Sequence, residues 1–292
     1  MVYYSLGVCQ LLVDFIAALL MAIFQGIIEW LPISSEGQLS LLFVNFYDID
    51  ELEAVTLALL LHIGTMISVL WVFRSDFREM ADLNAKITEV TLIATLGTII
   101  TAVPIVLIFK NYWEQWTHIL SIPADLLFTM IVGILLVLTG LILTSQPEQG
   151  TRELKSVTQK EALILGMAQG IAALPGISRS GMTITVLLFV GLTQRDALRI
   201  SFIISVPAVL GAMILEFILS GFSIQPNALI IGTIIFPYIL LIFTIFITAV
   251  IGIITMRSLL QLKTLPYDKF CIIFGTGTIL LAILLFIIWI VC

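Results

Sequence analysis

The 292-residue sequence predicts an all-α polytopic membrane protein, an inverted repeat in which each half is a re-entrant helix hairpin followed by three transmembrane helices. That makes six full spans plus two re-entrant hairpins. Three observations carry the prediction. The chain is 60% hydrophobic and 11% charged, more apolar surface than a soluble domain of this length can bury. Six apolar runs reach the roughly 20 residues that cross a hydrocarbon core as a helix. Four shorter apolar runs fall into two pairs, each joined by Pro, Ser and Gly where a span should stay apolar.

The first pair is 15–31 and 39–46, joined through Pro32 and the serines Ser34 and Ser35. Most of these arms are too short to span, so the pair reads as a hairpin that enters and leaves by one face. Irregular backbone at that depth is tolerated only inside protein or along a wet cavity. Runs 55–73, 91–109 and 124–144 complete the first half. The second pair, 162–174 and 182–192, brackets Pro175-Gly176, and runs 200–219, 228–255 and 270–291 follow. Residues 1–31 contain no Lys or Arg, so the basic start of a cleaved signal peptide is missing and the first apolar stretch is expected to be retained. Cys9, Cys271 and Cys292 have neither metal-ligand nor redox spacing and read as apolar fillers. One integral membrane domain is expected over 1–292, with repeats at about 11–146 and 155–292.

Residues 18–27 match residues 162–171 at five of ten positions, at an offset of 144, and the shared Gln-Gly carries most of the weight. Three crossings per half is an odd number, so the second half enters from the opposite face. In such repeats the interrupted segments meet near the midplane and form the site. Charge placement tests the layout independently. Of the 13 Lys and Arg residues, all but Lys110 and Arg179 fall on one side, with Lys110 on the other and Arg179 in the second hairpin. The basic side is therefore cytoplasmic, and both termini face outward. The net charge of -6 adds little to this.

Chemistry concentrates in the two hairpins. A charge at membrane depth costs about 2.5–3.5 kcal/mol on insertion scales and calls for a reason. Gln25 and Glu29 share one helix face, and Ser34, Ser35 and Gly37 follow in a turn. In the second hairpin Ser178 or Ser180 is placed to cap a helix, which leaves Arg179 beside its N-terminus. A helix N-terminus, hydroxyls and a guanidinium make a phosphate cradle; with a carboxylate and a serine opposite, it suits phosphoryl transfer. Simpler readings stand beside these. The serines satisfy broken backbone, Glu29 and Arg179 form a structural ion pair, and Glu36 points to water. His62 reads foremost as a hydrogen-bonded packing residue, and Trp113 and Trp116 beside His118 as interfacial anchors.

The segments Gln25-Gly26-Ile27-Ile28-Glu29-Trp30-Leu31-Pro32-Ile33-Ser34-Ser35-Glu36-Gly37 and Pro175-Gly176-Ile177-Ser178-Arg179-Ser180-Gly181-Met182-Thr183 resemble the two signatures of the undecaprenyl-diphosphate phosphatases, the bacitracin-resistance family. His62-Ile63-Gly64-Thr65 and Phe73-Arg74-Ser75-Asp76 also look like family segments. The resemblance covers nearly the whole chain. It implies an integral enzyme of the plasma membrane, open to the outer face, that hydrolyses a C55-type polyprenyl diphosphate to the monophosphate and phosphate. The lipid carrier is thereby recycled for cell-envelope glycan synthesis. It further implies Glu29, Ser35 and Arg179 as catalytic residues, and Gln25, Ser34, Gln38, Ser178, Ser180 and Thr183 as substrate-binding ones. A divalent cation, Mg2+ or Ca2+, is the candidate cofactor, with Glu29 as its candidate ligand. Expected partners are the polyprenyl diphosphate, membrane lipids and a second copy in a homodimer, but no nucleic acid.

One departure stands out. Gln38 occupies the position where the family pattern usually has histidine, and an amide exchanges no proton near neutral pH. Glu36, where the family more often has a small residue, is the candidate to compensate. The rival class is a transporter or flippase of an anionic lipid, since paired hairpins in inverted repeats also serve secondary transport. Acid-phosphatase-like lipid phosphatases are excluded, because they need two motif histidines, and His62 and His118 lie in neither signature.

Overall fold

The computed structural model describes residues 15–16, 18–47, 49–145, 150–220, 223–224, 228–231, 234–261 and 267–291. Cys9, Cys292, Lys263 and the outer limits of the predicted repeats lie outside these. The first hairpin is α1 (Ala18–Ile28) and α2 (Ser35–Tyr47), and the second is α7 (Gln159–Ile171) and α8 (Arg179–Phe189). Among the described residues, six helices are long and apolar enough to cross a membrane. They are α3 (Glu51–Val72), α5 (Lys86–Leu120), α6 (Ala124–Thr144), α9 (Gln194–Ser220), α10 (Tyr238–Leu259) and α11 (Tyr267–Val291). A short α4 (Arg74–Glu79) links α3 to α5.

Boundaries differ most from the sequence reading in two places. Helix α5 runs for 35 residues rather than stopping at Phe109. The predicted run 228–255 is helical only from Tyr238. Before it, β1 (Ser223–Ile224), β2 (Ala228–Ile231) and β3 (Ile234–Pro237) form an antiparallel sheet in which Leu229 lies opposite Phe236. Isoleucine-rich sequence suits strand as well as helix, and Pro237 sits just before the helix, where its missing N–H costs nothing.

Local signals fix the helix starts. Asp50 caps α3 by accepting from Leu52 N at 2.9 Å, and Thr158 with Glu161 forms a capping box on α7. Arg152 clamps that start: its guanidinium reaches both oxygens of Glu161 at 2.8 and 3.0 Å and the carbonyl of Ser156 at 2.7 Å.

Each hairpin packs on a span of the other half. Helix α7 lies along α5, where Thr98 and Thr101 donate to the carbonyls of Gly166 at 3.1 Å and Met167 at 2.9 Å. Helix α1 lies along α10 in the same manner, with Thr248 and Thr255 donating to Ala22 at 3.2 Å and Gly26 at 2.6 Å. Gly166 and Gly170, one turn apart, permit the first contact. A Cβ on Gly170 would sit 2.6 Å from the Thr98 carbonyl oxygen, so no larger residue fits this close approach. Helix α6 packs on α11, and α3 on α9.

Two apolar clusters flank the hairpin turns. One gathers Trp30, Phe202, Leu165 and Ile184, with the Trp30 and Phe202 rings edge-on at 5.3 Å. The other holds Leu39, Leu57, Phe128 and Val132. Trp113 belongs to this second core. It is buried against Phe109 and Phe128 and donates to Glu51 at 3.4 Å, so it is not the interfacial anchor the sequence suggests. Outward faces of α5, α10 and α11 expose Leu96, Ile100, Ile242, Phe246, Leu284 and Ile287, the surface of a protein bathed in lipid.

Candidate active site

The tips of the two hairpins touch. Ser34 adopts a left-handed backbone at φ 57° and accepts a hydrogen bond from Gly176 N at 3.1 Å. Gly176 itself has φ 103°, and a Cβ there would lie 2.7 Å from the backbone of Val132 on α6, so only glycine suits the position. Beyond the turns, α2 begins at Ser35 and α8 at Arg179, with Ser178 capping α8 by accepting from Gly181 N at 3.1 Å. Two helix N-termini thus meet at one place and favour an anion between them.

Glu29 is the centre of the polar network. Its Oε2 accepts from Gln25 Nε2 at 2.9 Å, from Ser35 Oγ at 2.6 Å, and lies 3.1 Å from His62 Nε2. Its Oε1 accepts from Arg179 Nη2. The carboxylate is almost wholly buried at 4% exposure, a position tolerable only with this degree of pairing. His62 Nδ1 lies 2.9 Å from the carbonyl oxygen of Ala58, which can only accept, so Nδ1 carries a proton. A proton also lies between Nε2 and Glu29, because two bare acceptors would repel at that distance.

A cavity of about 700 Å³, counted to its open mouth, surrounds this network. It is lined by Glu29, Ser34, Ser35, Glu36 and His62 on one side, by Gln169, Ser178, Arg179 and Ser180 on another, and by Thr98, Ala102, Ala208 and Ala212 on α5 and α9. Arg179 reaches Glu29 with one terminal nitrogen only, and Nη1 is buried without a hydrogen-bond partner. Gln169 Oε1 is likewise buried and unpartnered, while its Nε2 donates to Thr98 Oγ1 at 2.9 Å. Ser178 and Ser180 lie 3.3 Å apart through their hydroxyls. Donors therefore converge on a space sized for a small anion.

Not every predicted site residue enters this cavity. Gln25 stands behind Glu29 and orients it. Thr183 pairs with Ser201 of α9 at 2.6 Å and fastens α8 to that span. Gln38 lies on the far side of α2 and lines a separate apolar cavity with Phe24, Leu41, Phe46 and Phe274, its Nε2 unpartnered. Conversely, His62 and Gln169 are in the cavity although neither was expected there. Gln169 had one signal in the sequence, its alignment with Gln25 in the internal match.

Glu29 takes three of its four contacts on Oε2 and one on Oε1, so the open lone pair of Oε1 is the position it could offer a cation. Among the described residues no group of three or more His, Cys, Asp or Glu side chains is placed to hold a metal ion. Glu36 is the other carboxylate of the cavity and a second candidate to hold a cation.

The family signature of bacitracin resistance protein BacA matches residues 18–277. The chain belongs to the BacA family. An undecaprenyl-diphosphatase of Methanothrix thermoacetophila is 37% identical over 272 residues, covering 93% of this chain and 98% of that protein. One of Haloarcula marismortui is 30% identical, covering 89% of this chain and 94% of that protein. One of Carboxydothermus hydrogenoformans is 35% identical, covering 76% and 79% respectively. The BacA match includes both hairpins and every residue of the Glu29 network.

Proposed function

We propose that this BacA-family protein is a membrane phosphatase that hydrolyses a polyprenyl diphosphate of the undecaprenyl type to the monophosphate and inorganic phosphate. The carrier lipid is thereby returned to cell-envelope glycan synthesis. The observation that carries the reading is the placement of a serine hydroxyl on one oxygen of Glu29 and a guanidinium on the other, within one cavity. The names of the relatives agree with it. Neither they nor the family support the transporter or flippase alternative.

Arg179, with its unpartnered Nη1, and the first-turn N–H groups of α8 hold the terminal phosphate and offset the charge that develops on it. Ser35 Oγ gives its proton to Glu29 Oε2 and attacks the terminal phosphorus; the bridging P–O bond breaks, and polyprenyl monophosphate leaves. Water then cleaves the phosphoserine, releasing phosphate and restoring the Ser35 hydroxyl. His62 acts through Glu29, holding the carboxylate where Ser35 can reach it. Gln25 does the same from behind. Ser34, Ser178 and Ser180 complete the cradle. A divalent cation would be held by Glu29 Oε1 or Glu36 together with substrate oxygens, and it would supply neutralisation of diphosphate charge.

The inverted repeat, with both hairpins re-entrant, belongs to this proposal. Supporting it are the short hairpin arms, the matching element order of the two halves, and the reciprocal packing of α7 on α5 and α1 on α10. The outward-facing termini and the opening of the cavity to the outer face of the plasma membrane are likewise proposed, on the placement of Lys and Arg. A homodimer is proposed as the assembly, to be tested by mass in detergent. The function is tested by phosphate release from polyprenyl diphosphate by the purified protein. Release is expected, and lipid binding without release would favour transport.

A further inference from the structure

Near the same end of α3, α5 and α9 lies an ionic cluster that the chemistry above does not use. Lys110 Nζ of α5 contacts Glu216 Oε1 of α9 at 2.6 Å, and Thr56 Oγ1 of α3 donates to that same oxygen at 2.5 Å. Both charged side chains are largely buried, Lys110 at 19% and Glu216 at 7% exposure. These three helices also wall the cavity, through Leu59 and His62 on α3, Ala102 on α5, and Ala208 and Ala212 on α9. Thr56 is one turn beyond Leu59, Glu216 one turn beyond Ala212, and Lys110 two turns beyond Ala102, all toward one end. The cluster therefore ties α3, α5 and α9 together one to two turns beyond the cavity, on the side away from the basic residues that the sequence places together.

Resting on the phosphatase reading, we infer that Lys110 is a docking site for the anionic headgroup, held by Glu216 and Thr56 until a diphosphate displaces them. Parting a buried ion pair with nothing to replace it leaves a charge uncompensated and is costly. Exchanging the Glu216 carboxylate for a phosphate keeps the lysine paired, so the bridge opens to an anion and stays closed to a neutral lipid. Lys110 is the lone basic residue that the sequence places on this side, apart from Arg179 within the hairpin, so a headgroup meets this cation first and Arg179 afterwards. The pair thereby adds selection for charge at the mouth to the recognition made inside.

Steady-state kinetics on polyprenyl diphosphate in detergent, with K110M, E216Q and the double variant, test the inference. K110M is expected to raise KM about tenfold or more, the scale of one lost charge-assisted hydrogen bond, with little change in kcat. E216Q releases the lysine and is expected to lower KM. The double variant removes both charges and with them any unpaired one. Docking predicts that its KM stays raised, whereas a purely structural pair predicts return to the parental value. A parental KM in the double variant, or a raised KM in E216Q, overturns the docking role. A parent that releases no phosphate overturns the functional reading instead, so the two failures are told apart.

Discussion

Glu29 and Arg179, 150 residues apart in the chain, form an ion pair across the tips of the two hairpins. The contact joins one acidic and one basic turn in a cavity that neither hairpin encloses alone. Because Arg179 uses a single terminal nitrogen on Glu29, its remaining donors are available to a phosphate. Arg179→Ala is expected to lower kcat/KM by about 10²–10³, the loss typical of one transition-state donor. Arg179→Lys should recover little, since an ammonium cannot serve Glu29 and a phosphate in the same planar geometry. Kinetics on both variants decide this; a lysine variant with near-parental rate would argue for charge alone.

Ser35 is expected to be the attacking group rather than a ligand of water. Ser35→Ala should then lose at least about 10³-fold in kcat, as removal of a covalent nucleophile does. Rapid quenching with terminally labelled lipid should leave label on Ser35 in the parent. A Ser35→Ala protein retaining a tenth of the parental kcat would assign the attack to water.

The position of His62 separates it from Gln38. His62→Gln is expected to lower kcat by about tenfold, on the scale of one lost charge-assisted hydrogen bond to the carboxylate that positions Ser35, while lipid binding persists. Gln38→His is expected to leave the rate unchanged, because residue 38 faces the apolar cavity beside Phe24 and Phe274. Phosphate-release assays on the two variants check both statements, and a gain from Gln38→His would place that side chain at the phosphate after all.

Much of this arrangement was legible in the sequence. The six spans follow from apolar run length, and α6 matches its predicted limits of 124–144. The hairpins were legible because Pro32, Pro175 and the adjoining serines break otherwise apolar runs. Glu29, Ser35 and Arg179 were legible as polar groups where a membrane segment has no reason to carry them. His62 was not, because its contact with Glu29 depends on how α3 packs against the first turn, and no local spacing encodes that. Facing direction was equally hidden. Thr183 and Gln38 lie within or beside the signatures, yet the rotation of α8 and α2 turns one toward α9 and the other toward an apolar cavity. The strands before α10 were missed because an isoleucine-rich run satisfies either conformation by composition.

Outside the membrane, the Arg152–Glu161 clamp gives a pH signature. The Arg152 hydrogen bonds, aided by those from Thr158, hold the Glu161 carboxyl down at about 2 against a usual 4.5. A carboxyl depressed in the folded state contributes its stability fully above the unfolded value; the contribution fades as pH falls from there through the folded value. Glu161→Gln should therefore lower the thermal midpoint by a constant amount from about pH 6 to 8, with the difference shrinking below about pH 4.5. Melting curves in detergent across that range check it, and a difference that grows on acidification would contradict it.

The most direct test is a structure of the protein with a non-hydrolysable methylene-diphosphonate lipid. The terminal phosphorus should lie about 3–3.5 Å from Ser35 Oγ, the distance of a poised attack, with Arg179 Nη1 on its oxygens and Glu29 still holding the serine. A diphosphonate seated elsewhere, with Arg179 unmoved and making no contact to it, would contradict convergence of the two hairpins on one phosphate.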